Sequence, residues 1–228
     1  MAKLRMLFTI IQMVITVTIT IILMYLFKKS NRSIRRIWSL LQIKLMGIDL
    51  EIQGQYDQNA DMMIMNHQSL VDIILLEYLA TKDLAWVAKK EIADLPWFGH
   101  ILKAPNMIIV ERENKSSLVK LIKSAKARLD ENRQLAIFPE GTRTDGKKLR
   151  KFKAGAKIVA NKYNLTVQPC VIINSRYILD SKKMTQNSGK VKIIYLPTVQ
   201  ADKNSSWYED VEQQMKQVLE NEIKAYQK

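Results

Sequence analysis

Two histidines occur in this chain of 228 residues, and one of them, His67, stands in Asn66-His67-Gln68-Ser69-Leu70-Val71-Asp72, five residues ahead of a carboxylate. Such a pair can form a general base. The carboxylate accepts the Nδ1 proton and fixes the tautomer, and Nε2 is left to take a proton from a reacting hydroxyl. The same letters carry a plainer meaning. Ser69 followed three residues later by Asp72, ahead of Ile-Ile-Leu-Leu, is a capping box with Ser69 at N-cap and Asp72 at N3. The two roles are compatible, and this stretch by itself does not choose between them.

A second stretch with chemical content is Phe138-Pro139-Glu140-Gly141-Thr142-Arg143, which closes a strand-like run and leads into a dense basic segment up to Lys153. Its plain meaning is a turn followed by a solvated, charged helix start. Yet a loop at the carboxyl end of a strand in an α/β sheet is where ligands tend to bind. An arginine beside the free N–H groups of a glycine turn can also seat a phosphate. The spacing Gly141-x4-Gly146-Lys147 approaches a P-loop, but Lys148 stands where a Ser or Thr would hold magnesium, which argues against nucleotide hydrolysis. Ser69 lacks the Gly-x-Ser-x-Gly elbow of a serine nucleophile, a pattern found nowhere in the chain. Cys170 lies in a strand-like run and is expected to be a small core residue. His100, in Pro-Trp-Phe-Gly-His, fits no motif and is expected to be structural.

These residues need a scaffold. From residue 48 onward, apolar or alternating runs predict strands at 48–53, 62–65, 84–88, 106–110, 134–138, 167–173 and 191–196. Helical stretches fall between them, near 69–80, 115–131, 153–163 and 206–226. The alternation predicts one α/β domain over 48–228 with a largely buried central sheet. The polar stretches 54–60 and 180–190 are too short to divide it.

Ahead of this domain, residues 7–27 run 21 positions without a charge. As a helix they would extend roughly 31 Å, the thickness of a bilayer's hydrocarbon core. The run is too long for a signal peptide, and Lys-Lys-Ser-Asn-Arg-Ser-Ile-Arg-Arg follows it where small residues would mark a cleavage site. A membrane-embedded helix is expected here. Five basic residues follow the run and two precede it, a bias that puts the rest of the chain on the cytoplasmic side. Residues 33–47 place Ile34, Ile37, Trp38, Leu41 and Leu45 at helical spacing, with Arg35, Arg36, Gln42 and Lys44 elsewhere. That pattern suits an amphipathic helix packed on the domain, or equally one lying in the membrane interface. Residues 1–47 are therefore taken as the membrane element.

The chain carries 36 basic against 22 acidic side chains, a formal charge of +14. Phosphate-bearing partners suit such an excess: nucleic acid, an anionic membrane, or small phosphorylated substrates. One cysteine excludes an internal disulfide, and no Cys/His cluster is present to hold zinc. A basic protein tethering nucleic acid to a membrane would place stacking aromatics among its basic residues. Between 139 and 157 the sole aromatic is Phe152, which weakens that alternative.

Asn-His-x-x-x-x-Asp followed some 70 residues later by Phe-Pro-Glu-Gly-Thr-Arg resembles the glycerolipid acyltransferases, in particular the 1-acyl-glycerol-3-phosphate (lysophosphatidate) acyltransferases. Val-Glu-Arg-Glu (110–113) resembles the block that usually ends Asp-Arg, with Glu111 in place of Asp. Val-Gln-Pro-Cys-Val-Ile (167–172) resembles a later Val-x-Pro block, and Val87–Gly99 the lysine-rich lead into the second block. The resemblance spans about residues 60–175. It implies an acyltransferase domain with a central, mostly parallel sheet flanked by helices. It also implies that His67 deprotonates a glycerol hydroxyl, which attacks an acyl thioester directly, while Asp72 orients His67. Glu140, Gly141, Thr142 and Arg143, with Arg112, would hold the glycerol phosphate, and Asn66, Ser69, Glu111, Pro139 and Pro169 would support the site. The implied partners are the bilayer, lysophosphatidate, and acyl-CoA or acyl-acyl carrier protein, with no metal, cofactor or nucleic acid. A relative acting on glycerol-3-phosphate, another lysophospholipid or an aminoacyl-lipid would carry the same motifs.

Overall fold

The computed structural model describes residues 1–111 and 116–226. Arg112 therefore lies outside the described residues. The chain begins with α1 (Ala2–Leu26) and α2 (Asn31–Met46), then enters β1 (Ile48–Gln53), β2 (Met62–Met65), α3 (Val71–Leu79) and β3 (Leu84–Lys89). Two one-turn helices, α4 (Lys90–Ala93) and α5 (His100–Lys103), lead to β4 (Ile108–Val110), α6 (Ser116–Asp130), β5 (Gln134–Ile137) and α7 (Ala154–Tyr163). Then follow β6 (Thr166–Ile173), α8 (Ser175–Ile178), the small hairpin β7 (Leu179–Asp180) and β8 (Thr185–Gln186), β9 (Gly189–Tyr195), β10 (Val199–Gln200) and α9 (Trp207–Tyr226).

The main sheet has the order β1-β9-β6-β2-β5-β3-β4. Five strands, β6, β2, β5, β3 and β4, run parallel, and β9 turns antiparallel to β6 with β1 parallel beside it. The α/β domain and its mostly parallel sheet are as the sequence predicts. Both faces of the sheet are covered. Along β2, Met62 and Ile64 join the core under α6, α7 and α9, whereas Met63 and Met65 join the core under α3. On β6, Val167, Val171 and Ile173 likewise alternate with Cys170 and Ile172. A period of two in strands buried on both faces yields the near-continuous apolar runs seen in the sequence.

The N-terminal helices are amphipathic in the reverse sense. On α2 the buried residues include Arg35, Ser39 and Gln42, while Ile37 is 68% exposed and Leu41 and Leu45 are also exposed. On α1, Thr9, Gln12 and Thr20 face inward and Leu7, Phe8, Ile11, Ile15 and Ile22 face outward. The inward polar groups pair with each other: Gln12 Nε2 donates to Gln42 Oε1 at 2.8 Å, and Trp38 Nε1 and Gln42 Nε2 both donate to Thr16 Oγ1 at 3.1 Å. Polar side chains turned to protein and apolar ones turned out suit a helix whose outer solvent is hydrocarbon. Of the two expectations for residues 33–47, each holds for part of the stripe: Ile34 and Trp38 pack inward with Ile43 and Met46, while Ile37, Leu41 and Leu45 are exposed.

Arg35 fastens this element to the domain. Its guanidinium, 4% exposed, forms ion pairs with Glu77 on α3 and Asp83 ahead of β3. Glu77 also accepts from Trp86 Nε1 at 2.7 Å, and Asp83 pairs with Arg133 at 3.1 Å. At the other end of α1, His100 Nδ1 and Tyr25 Oη lie 2.7 Å apart, so His100 has the structural place expected of it.

Candidate active site

Asn66-His67 emerges from the carboxyl end of β2, and Pro139-Glu140-Gly141 from the carboxyl end of the neighbouring β5. Parallel pairing therefore brings two motifs, distant in sequence, to one edge of the sheet. Asn66 locks the end of β2 to β6, because its Nδ2 donates to the Ile172 carbonyl at 2.9 Å and its Oδ1 accepts from Ile172 N–H at 2.7 Å.

His67 Nδ1 lies 2.8 Å from Asp72 Oδ2. That oxygen also accepts the backbone N–H groups of Gln68 at 2.7 Å and Ser69 at 2.9 Å, and Ser175 Oγ donates to the other oxygen, Oδ1. Asp72 is 0% exposed. With its oxygens serving as acceptors, the imidazole supplies the proton at Nδ1 and keeps its lone pair at Nε2. The ring is held flat as well: it stacks on Phe138 with centroids 3.8 Å apart, and Phe138 stacks on Trp86 at 5.4 Å.

The capping-box expectation is met in function and shifted in position. The helix begins at Val71, not directly after Ser69. Ser69 Oγ accepts Val71 N–H at 3.3 Å and donates to the Leu179 carbonyl at 2.8 Å, so it does not reach Asp72 N–H. Asp72 reaches back to Ser69 N–H, the reciprocal half of a capping box, with the same oxygen that takes the histidine proton. One carboxylate caps the helix and orients the His67 ring.

The turn after β5 is shaped by two glycines. Gly141 has φ +71°, and a Cβ there would come within 3.0 Å of Lys153 Cε. Gly146 has φ +81°, and a Cβ would come within 2.9 Å of Gln68 Oε1. Both positions are left-handed and closely approached, so a side chain would strain the backbone and push on the site. Thr144 ties the loop to His67, its N–H and Oγ1 donating to the His67 carbonyl at 2.8 and 3.2 Å. Arg143 is exposed and donates to Ser181 Oγ at 3.4 Å. The Lys153 side chain folds back over Gly141, giving the turn a second cation beside Arg143.

Glu140 departs from its expected role. It is 2% exposed, and its oxygens accept His67 N–H at 2.8 Å and Arg150 N–H at 2.7 Å. Its carboxylate has no open side toward a phosphate, with which it would share its charge sign. It is a clasp between the loop after β2 and the loop after β5. Burial pushes its pKa from 4.5 up to about 7, against the pull of the two N–H donors, and Asp72 adds to the rise. Since the folded pKa lies above the unfolded one, the stability linked to Glu140 is full below about pH 4.5 and declines as pH rises to about 7. Glu140→Gln should flatten that decline when melting is followed across this window. It should also cost roughly ten-fold in turnover, because the amide NH₂ faces a backbone N–H and leaves a buried donor unpaired.

The remaining expected residues fall apart. Pro169 lies mid-strand opposite Ile64 and its carbonyl accepts Leu196 N–H at 3.0 Å, a place in the scaffold of the sheet. Glu111 is exposed beyond β4, 3.5 Å from Lys90. Cys170 is buried in β6, where burial pushes its thiol pKa up, out of a nucleophile's range. Three groups went unnoticed in the sequence: Ser175, Thr144 and the Trp86–Phe138 stack. Ser175 sits 103 residues from Asp72, and no local pattern marks it.

The chain is similar to known proteins over most of its length. The Acyltransferase family profile matches residues 31–173. The 1-acyl-sn-glycerol-3-phosphate acyltransferase of Helicobacter pylori is 40% identical over 216 residues, covering 93% of this chain and 91% of that one. The enzyme of the same name from Cocos nucifera is 30% identical and covers 73% of this chain and 54% of its own length. The crystal structure of the 1-acyl-sn-glycerophosphate acyltransferase from Thermotoga maritima superposes with a TM-score of 0.75, at 20% identity, over 99% of this chain and 94% of that one. By profile, by identity over nearly its full length and by fold, this chain belongs to the acyltransferase family and is an acyltransferase.

Proposed function

We propose that the protein transfers a fatty acyl group from acyl-CoA or acyl-acyl carrier protein to the free hydroxyl of 1-acyl-glycerol-3-phosphate, giving phosphatidate. The observation that carries this reading is the His67–Asp72 pair set beside a glycine turn with Arg143 and Lys153. His67 Nε2 takes the proton of the acceptor hydroxyl as its oxygen bonds to the thioester carbonyl carbon. The C–S bond then breaks, and the leaving thiolate recovers the proton from the imidazolium. Asp72 balances the positive charge that appears on the ring during this step. The two cations beside the turn suit a phosphate monoester on the acceptor.

Arg143 is expected to act mainly in binding. Arg143→Ala should raise the acceptor KM roughly ten- to hundred-fold with little change in kcat, since the charge-assisted contact persists from ground state to transition state. An unchanged KM would remove it from the phosphate seat.

The outward apolar face of α1 would lie in the bilayer while its inner face stays on the domain from Met6 to Met24. This supports embedding from one side, and the basic residues after position 27 support a cytoplasmic placement. A second acceptor reading comes from a relative: the lyso-ornithine lipid O-acyltransferase of Rhizobium meliloti is 29% identical over 136 residues. The deciding experiment measures kcat/KM of detergent-purified protein on lysophosphatidate, glycerol-3-phosphate, lysophosphatidylcholine and lyso-ornithine lipid, each with both donors. Lysophosphatidate should lead. A lead for lyso-ornithine lipid would replace the acceptor and leave the base assignment intact.

A further inference from the structure

The β7–β8 hairpin ends in Ser181-Lys182-Lys183-Met184, and nothing in the acyl-transfer step uses it. Its base is tied to the catalytic centre. Ser69 Oγ donates to the Leu179 carbonyl, Arg176 Nη1 donates to the Thr144 carbonyl at 2.5 Å, and Ser175 donates to Asp72. Its outgoing strand is tied to the N-terminal helices. Gln186 Nε2 donates to the Met46 carbonyl at 2.9 Å, and Arg5 Nη1 donates to Ser188 Oγ at 2.8 Å. The hairpin thus bridges the active site and the flank of α1.

The tip itself is built to present its side chains outward. Asp180 turns inward, pairing with Arg176 at 3.1 Å and accepting the backbone N–H groups of Lys182 at 2.9 Å and Lys183 at 3.1 Å. Lys182 and Lys183 are exposed, and among the described residues no carboxylate pairs with either ammonium. Met184 is 48% exposed at φ +52°, a left-handed position unusual for a large apolar residue. Beside the hairpin lies an open cleft lined by Gln186 and Ser188 together with Leu4, Phe8, Leu45, Arg5 and Lys44. The cleft thus carries Arg5 and Lys44 beside Leu4, Phe8 and Leu45 and ends at the outgoing strand of the hairpin, while Arg143 meets the tip through Ser181.

We infer that the Ser181–Met184 tip is a second bilayer contact, separate from the apolar face of α1. In this arrangement Lys182 and Lys183 meet anionic lipid headgroups and Met184 enters the apolar boundary. The acceptor's phosphate then arrives at the surface next to Arg143. The occupant is an anionic bilayer because the tip combines unpaired cations with an exposed apolar side chain, and its hairpin is joined to α1 by the Arg5–Ser188 bond and by the cleft that Leu4 and Phe8 line. This inference rests on the membrane reading above.

The test is flotation of full-length protein with vesicles of phosphatidylcholine, with and without phosphatidylglycerol. Each lysine at an anionic surface contributes about five-fold, so Lys182→Ala/Lys183→Ala should bind the anionic vesicles about 30-fold more weakly and the neutral ones as wild type does. Met184→Asn keeps a residue that tolerates the left-handed backbone, and should weaken binding to both vesicle types several-fold. Turnover on a short-chain, water-soluble lysophosphatidate should stay at the wild-type level in all variants, which also reports their folding. Wild-type binding of the lysine variant to anionic vesicles would overturn the hairpin's role while leaving the membrane reading in place. Failure of the wild-type protein to float with either vesicle would overturn both. An equal loss on the soluble acceptor by folded variants would place the lysines in the substrate site and refute a docking role.

Discussion

Asp72→Asn should lower thioester turnover roughly 10²- to 10⁴-fold while the protein stays folded. The hydrogen bonds around Asp72 explain why both halves of that result are expected. An asparagine with its oxygen at the Oδ2 position still accepts from Gln68 N–H, Ser69 N–H and His67 Nδ1, and its NH₂ then faces Ser175 Oγ, which can rotate to accept. The helix start is thus preserved. What disappears is the buried negative charge facing the ring, and with it the stabilisation of the imidazolium. The same swap in a serine-protease triad costs about 10⁴ in kcat where it also sets the wrong tautomer, which places the upper end of the range here. His67→Ala should lose at least as much, and the double variant little more than the worse single one, because the pair acts as a unit. If Asp72 only capped the helix, Asp72→Asn would turn over near the wild-type rate.

A large effect of a different kind is expected at Arg35. Arg35→Ala removes the cation between Glu77 and Asp83, leaving Glu77 with Trp86 as partner and Asp83 with Arg133. Breaking a buried pair from one side costs about 3–5 kcal/mol, because the stranded carboxylate stays buried. For a domain of this size each kcal/mol moves the melting temperature by about 2–4 °C, so a drop of roughly 6–20 °C should appear in detergent solution. Turnover per folded molecule at low temperature should change little. Glu77 lies on the far half of α3 from Asp72, and the contacts that set the base come from the β2 end and from Ser175. A loss of turnover without a shift in melting would mean that α2 acts on the site and does not simply anchor the N-terminal element.

Much of this was legible in the residues because the rules concerned are local. The strands announce themselves as runs buried on both faces, and the two motifs fall at their carboxyl ends, where the parallel pairing of β2 and β5 joins them. What stayed hidden has physical reasons. Ser175 reaches Asp72 only because β6 lies beside β2, a matter of strand order that no spacing encodes. Glu140 was misread because a carboxylate in a glycine turn looks the same whether it faces a ligand or two backbone N–H groups. The stripe of Ile37, Leu41 and Leu45 left two placements open for a deeper reason. The rule that apolar residues point to the core presumes water outside, and Arg35, Ser39 and Gln42 facing inward reverse it. The hairpin of residues 179–186 was passed over as polar loop because its strands are two residues each.

The central claim is acyl transfer from a thioester to lysophosphatidate with His67 as the base. Its most direct test follows one reaction by two readouts, thiol release and labelled phosphatidate, in the purified wild-type protein and in His67→Ala matched for folding by thermal melting. Equal amounts of thiol and phosphatidate should form with the wild type, with no labelled protein after denaturation, and neither should rise above background in His67→Ala. Thiol released without phosphatidate, acyl label retained on the protein, or undiminished product from folded His67→Ala would contradict it.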